Sequence, residues 1–264
     1  MIRKLIRSML TAQIFSALTV SACLLIDNIM IGRFLGEEAI AAYGLSNPLL
    51  LLVGGVASLL SAGVQVSCSK SLGKGSREET NAGFSSALAV AVGFSVPVLI
   101  LVFLLIRPLT PLLGAGTGGS LYDQTRGYLI GFNLGGPATV GALVLVPFLQ
   151  LAGRSGLLIA AVLGMTVTDI VLDLLNVLVL HGGMFGMGLA SALSYYVALI
   201  IGGSYFLTSG CSFRFSRKLV SFRKIRELFR DGLPSGFNAL ASVILVYPIP
   251  NPQSPIPILL RKKK

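Results

Sequence analysis

The sequence predicts an all-α integral membrane protein, a six-transmembrane-helix bundle followed by a partial seventh helix. Three observations predict it. The 264 residues are 54% hydrophobic and only 12% charged, and the mean hydropathy of +0.84 lies well outside the soluble globular range. Six apolar runs each reach the length of about 20 residues that a helix needs to cross a bilayer. The charges gather in the gaps between runs, and four of the six runs carry none.

The first run covers roughly residues 8–32 and follows "MIRKLIR". "VSAC", Val20 to Cys23, has the form of a lipoprotein cleavage site, but the apolar run continues to Ile31, so a transmembrane span is the expected element. The remaining runs cover roughly 48–69, 82–106, 127–152, 157–180 and 184–208. Breakers such as "GKGSREE" and "PLLGAGTGGS" separate them, and internal Gly and Pro are tolerated in membrane helices. A barrel would need short strands of alternating apolar and polar residues, which these runs lack. Cys23, Cys68 and Cys211 show no metal or CxxC spacing and are expected to be small packing residues.

The net charge of +11 is interpreted through its placement. With the amino terminus inside, Arg3, Lys4, Arg7, Lys70, Lys74, Arg77, Arg154 and seven basic residues between Arg214 and Arg230 fall on one side, against Arg33, Arg107 and Arg126 on the other. This is the positive-inside pattern of a multi-pass protein with a cytoplasmic amino terminus, and it argues against nucleic-acid binding. The expected location is the plasma membrane of a bacterium. "FRFSRKLVSFRKIRELFR" is expected to form a basic amphipathic segment on the inner face, in contact with anionic membrane lipid. The predicted organisation is a transmembrane lobe over 1–230, whose cytoplasmic basic loop is 209–230, and then 231–264, the partial seventh helix and a Pro-rich tail.

Three acids fall inside spans: Asp27, Asp169 and Asp173. An aspartate at helix centre costs about 2.5 to 3.5 kcal/mol on insertion scales, so such residues face a wet cavity or one another. With the amino terminus inside, Asp27 and Asp173 both lie about 9 to 12 Å below the outer surface, at 1.5 Å per residue, with Asp169 one turn deeper. Thr166, Asp169, Asp173 and Asn176 recur at helical spacing, so one polar stripe of the fifth span is expected to face the bundle interior. Carboxylates crowded in a poorly solvated pocket cannot all stay ionised, so the group is expected to hold a proton or a small cation such as Na⁺ at Asp27, Asp169 and Asp173. Alternating access around such a site would couple the ion to movement of a second solute. Asn133 and Tyr128 are candidates to line the same pocket.

"LIDNIMIGRFLGEEAIAAYGLSNPLLLLVGGVASLLSAGVQVSCSKSLGKGSREE", "GYLIGFNLGGP", "DIVLDLLNVLVLHGGMFGMGLASALSYY" and "RDGLPSGF" occur in order. Together they resemble the multidrug and toxic-compound extrusion (MATE) transporters over about residues 5–245. The resemblance implies two six-helix lobes facing a cleft, and export of small cationic amphipathic compounds in exchange for H⁺ or Na⁺. It places the family's first-span aspartate on Asp27, its fifth-span aspartate on Asp173, a sixth-span Thr on Ser191 and a fourth-span Tyr on Tyr128. Asp169 stands where the family often has Asn, and the proline that kinks the first span of some members is absent. "YPIPNPQSPIPILLRKKK" departs from the family, and the expectation is a chain truncated in the seventh span, whose missing lobe a second copy would have to supply.

Other readings are weaker. Intramembrane aspartyl proteases set their acids in a Gly-x-Gly-Asp context that is absent here, and the lone His181 has no nucleophile or zinc partners. No enzymatic activity is expected, and no cofactor beyond the coupling ion. Lipid-linked oligosaccharide flippases of the same superfamily would favour cationic grooves, whereas the spans here hold no Arg or Lys. An inert membrane fragment is the remaining alternative. "HGGMFGMGLAS" is expected to serve close helix packing.

Overall fold

A computed structural model of the chain describes residues 2–208 and 211–246, so the Pro-rich tail at 247–264 lies outside the described residues. Every regular element among them is helical: α1 (Ile2–Met30), α2 (Glu37–Gly73), α3 (Arg77–Thr110), α4 (Ser120–Asn133), α5 (Gly136–Leu151), α6 (Ser155–Leu175), α7 (Gly183–Ser204) and α8 (Phe222–Val246). Five of these, extended by short turns at their ends, are long and apolar enough to cross a membrane. The expected fourth span is divided between α4 and α5, which meet at 49°. Pro137 causes the break: it has no N–H to continue the helix and disfavours helical geometry at the preceding residue. Beyond the break α5 opens with Thr139 donating to the Gly135 carbonyl, through its amide at 2.8 Å and its hydroxyl at 3.0 Å.

The spans that rise away from the amino-terminal side all end alike. α1, α3 and α6 each run into a π-helical turn, Ile31–Leu35, Pro111–Ala115 and Asn176–Leu180. A residue with positive φ stops each helix: Gly36 at 91° and His181 at 52° just past the first and third turns, and Gly114 at 101° already inside the second, followed by Gly116 at 74°. A left-handed residue satisfies the last helical carbonyls, as in the bond from His181 N to Asn176 O at 2.7 Å. The lone histidine is thus a helix-end residue, with its ring Nδ1 at 3.0 Å from Val179 O.

Toward the amino-terminal side, Leu60, Val64, Phe84, Val144, Phe148, Phe213 and Leu228 form one core cluster. Phe148 packs edge-on against Phe84 at 4.9 Å and against Phe213 at 5.2 Å. Phe213 belongs to the segment after α7, which is strapped to α3 by Arg214 N to Asn81 Oδ1 (2.9 Å), Ser216 N to Ser85 Oγ (2.9 Å) and Ser221 N to Ser86 Oγ (3.3 Å). The outward faces carry exposed Leu18, Ile29, Leu104 and Ile200, the apolar surface that lipid requires.

The basic segment expected to lie flat on lipid is instead, from Phe222 onward, part of a longer helix. Phe222–Arg230 and the following residues form one continuous helix, α8, docked along α2. A Cβ on Gly63 would collide with the Leu228 carbonyl, and one on Gly232 with the Leu59 carbonyl, so the absence of side chains lets the two backbones touch. Ser67 Oγ donates to Glu227 Oε1 at 2.9 Å, and Lys70 pairs with Asp231 at 3.2 Å. Burial pushes the Glu227 carboxyl up, but hydrogen bonds from Lys224 and Ser67 outweigh this and hold it below its ordinary value. A depressed carboxyl contributes stability above the unfolded pKa and loses it as pH falls through the folded one. Docking of α8 on α2 is therefore expected to weaken on acidification through the range below ordinary glutamate titration. Glu227→Gln should remove this pH dependence, measured as the protection of α8 amides from hydrogen exchange. Equal protection of both proteins across that range would disprove it.

Candidate cation site

The polar stripe of the fifth span is buried as its spacing requires. Thr166, Asp169 and Asp173 on α6 and Asn176 in the turn beyond it all face inward, whereas Val167, Val171 and Leu178 on the opposite side are exposed. α1 lies against this face of α6 and brings Asp27, also buried. Cys23, one turn before Asp27, donates through Sγ to Asp169 Oδ2 at 3.2 Å across 146 residues of sequence. One ligand atom each from Cys23, Asp27 and Asp169 lies within 4.8 Å of the others.

The three carboxyls are poorly satisfied. Apart from the meeting of the Asp27 and Asp173 carboxyls with each other, Asp27 Oδ1, Asp169 Oδ1 and both oxygens of Asp173 receive no hydrogen bond, and neither do Thr166 Oγ1 and Asn176 Oδ1. Asp173 is 1% exposed, and its carboxyl adjoins that of Asp27. Buried polar atoms are almost always hydrogen-bonded, so such a concentration of oxygens without donors is unusual.

A cavity of about 230 Å³ reaches the acids between α1, α2, α4, α5, α6 and α7; Asp27, Asp169, Tyr128 and Ser191 line it, and Asp173 does not. Tyr128 meets Tyr43 of α2 edge-on at 5.2 Å. The lining also includes Tyr43, Asn47, Ser194 and Tyr195, none of which stood out in the sequence. Ser191, Ser194 and Tyr195 share one helical face of α7, a periodic signal that was present but weak. Two expectations change. Asn133 does not line the cavity: its Nδ2 donates to Leu99 O of α3 at 2.9 Å, because the end of α4 turns it toward that helix. Cys23 is more than a packing residue, since its thiol bonds the acid group; its position four residues before Asp27 was the available signal. Asn176 and Thr166 are buried beside the acids rather than on the cavity wall, and Asn176 Nδ2 donates to Gly183 O at 3.0 Å.

The cavity depends on a close crossing of α4 and α7. A Cβ on Gly131 would meet Phe185 O, and Leu189 N at 2.8 Å, while one on Gly188 would meet Tyr128 O, and Phe132 N at 2.8 Å. The glycine-rich stretch therefore packs helices, and in doing so sets Tyr128 opposite Ser191 and Tyr195. Loss of the Cys23 bond would leave one more buried carboxylate oxygen bare. Cys23→Ala is expected to lower stability by about 1 kcal/mol, with Cys23→Ser nearer the parent, read as thermal midpoints in detergent. A larger loss for Ser than for Ala would count against this account of the thiol.

The MatE family model matches residues 12–175, more than half of the chain. The chain belongs to the MatE family. Solved structures agree in fold. A multidrug resistance MATE transporter of the MOP superfamily in an inward-facing conformation superposes with a TM-score of 0.78 at 22% identity, covering 85% of this chain and 51% of that one. A MATE protein in complex with MaD3S gives 0.83 at 22% identity, covering 90% and 54%. A MOP superfamily transporter from Pyrococcus furiosus, described as having a binding pocket of reverse polarity that suggests a different function, gives 0.81 at 22% identity, covering 90% and 53%. This MatE chain thus spans about half the length of the solved transporters it matches. No curated protein matches it.

Proposed function

We propose that this MatE lobe carries the coupling site of an antiporter that exports small cationic amphipathic compounds in exchange for H⁺ or Na⁺. The observation that carries the reading is the crowding of three buried carboxyls, Asp27, Asp169 and Asp173, from two helices, with four oxygens that no neighbouring donor serves and with the Asp27 and Asp173 carboxyls meeting each other. A proton or Na⁺ held among them would cancel the mutual repulsion that a buried acid group carries. Asp27, Asp169 and Asp173 would bind the coupling ion. Thr166 and Asn176 offer neutral oxygens beside them, and Tyr128 and Ser191 face the same cavity. Because Asp27 rides on α1 and the other two on α6, occupancy changes the force between these helices, which is the link that coupling to a conformational change needs.

Among the described residues the cavity wall carries no Arg or Lys, which favours cationic solutes over the pyrophosphate-bearing lipids of a flippase. Labelling with an apolar carbodiimide, which attacks acids in membrane pockets, tests the reading. Modification of the three aspartates is expected to slow when Na⁺ is added, for a Na⁺ site, or to follow pH alone, for a proton site. Labelling indifferent to both would refute the proposal.

A further inference from the structure

On the amino-terminal side of the bundle, well away from the acids, a cavity of about 700 Å³ opens between the α2–α3 turn and the start of α8. Lys74, Arg223, Lys224, Arg226 and Arg230 line it, against only Glu79 and Glu227. Both carboxylates are already engaged. Glu227 accepts from Ser67 Oγ at 2.9 Å and pairs with Lys224 at 3.0 Å, and Glu79 accepts from Ser71 Oγ at 3.3 Å. Arg230 pairs with Asp231 at 3.6 Å. Lys74, Arg223 and Arg226 have no ion pair among the described residues and converge on one concave surface. The first turn of α8, a helix of 25 residues, also meets the cavity through Ser221, Arg223 and Lys224, adding the positive end of its dipole.

We propose that this groove seats the phosphate headgroup of an anionic membrane phospholipid. Charge complementarity selects a phosphate monoanion, and the volume lies within the range of small-ligand sites. The surroundings favour a lipid over a free anion. Phe222, between the lining residues Ser221 and Arg223 at the start of α8, is 81% exposed, so a bare apolar ring flanks the charged groove. That combination of basic pocket and bare aromatic ring suits the boundary between headgroups and acyl chains. The bound headgroup would bridge Lys74 at the end of α2 to Arg223 and Arg226 on α8, adding to the backbone contact at Gly63 and Gly232. The seat is independent of the cation site and of any coupled transport.

The test is native mass spectrometry of the purified chain in detergent, titrated with phosphatidylglycerol or phosphatidylcholine. Phosphatidylglycerol is expected to remain bound as a one-to-one adduct and phosphatidylcholine not. Each basic side chain near an anionic surface contributes enough for about a fivefold change in affinity, so Arg223→Gln with Arg226→Gln should weaken the adduct about thirtyfold. Either single variant, which removes one exposed side chain, should weaken it about fivefold. Lys218→Gln, outside the groove, should leave it unchanged. Equal retention of both lipids, or an equal loss with Lys218→Gln, would overturn the proposal by showing diffuse attraction or none. Displacement of the lipid by millimolar inorganic phosphate as readily as by phosphatidylglycerol would also overturn it, in favour of a free-anion site.

Discussion

Asp173→Asn is expected to abolish cation coupling while leaving the lobe folded and inserted. Asp173 is the most deeply buried of the three acids, and its carboxyl meets that of Asp27 with no donor from elsewhere serving its oxygens. Asn has the same shape, so packing is retained, but it can neither release a proton nor supply a full negative charge to Na⁺. A buried carboxyl without such donors contributes little to stability and can detract from it. The thermal midpoint should therefore hold or rise as activity disappears, the trade-off expected where a site is kept strained for function. The measurement is ion-driven efflux of a cationic dye from vesicles holding this lobe joined to a MATE carboxy-terminal lobe, with cation-dependent carbodiimide labelling of the chain alone as the parallel readout. Efflux should fall to the background of empty vesicles. Unchanged efflux with unchanged labelling would remove Asp173 from the coupling site, and a large drop in thermal midpoint would assign it a structural role instead.

Gly131→Leu should have the largest effect on the fold. Even a single Cβ at Gly131 collides with backbone atoms of α7, and backbone cannot move aside as the end of a flexible side chain can. The helices must separate, which empties the space around Tyr128, Met184 and Met187 and widens the cavity beneath the acids. Overpacking costs about 1 to 3 kcal/mol in ordinary cores and more where backbone must shift; the expected loss here is at least about 3 kcal/mol. Gly188→Leu should act alike, because the contact is reciprocal, and the double variant should cost less than the sum of the two. A melting midpoint within about 2 °C of the parent for either single variant would show that the crossing is looser than its geometry indicates.

Much of the candidate site was legible because the membrane makes charge rare. Asp27, Asp169 and Asp173 could be singled out without a structure: each would be expensive in lipid unless turned inward, and the stripe of Thr166, Asp169, Asp173 and Asn176 told which way α6 must face. The stripe is buried as that argument required. Asn133 was misjudged for a reason of the same kind. A polar residue near a span end must find a partner, but sequence alone does not say whether the partner is a pocket or a neighbouring carbonyl, and here it is Leu99 O. Tyr43, Asn47, Ser194 and Tyr195 gave weaker signals, since hydroxyls and amides cost little in a membrane helix and stand out only when several converge.

The basic segment before the seventh span shows the same division. Its composition predicted affinity for an anionic surface. The sequence did not show that Gly63 and Gly232 would let α8 touch the α2 backbone, turning a strip of charge into one wall of a groove with Lys74 on the other. By itself the sequence determined the all-helical membrane fold and which acids must face inward, because the cost of placing charge in hydrocarbon is local and can be read residue by residue. Only the tertiary structure decided that Cys23 bonds Asp169, that Asp173 does not line the cavity and that Asn133 faces α3. Those facts depend on how α1 is set against α6 and α4 against α3, and the register of a helix crossing is a property of two segments at once.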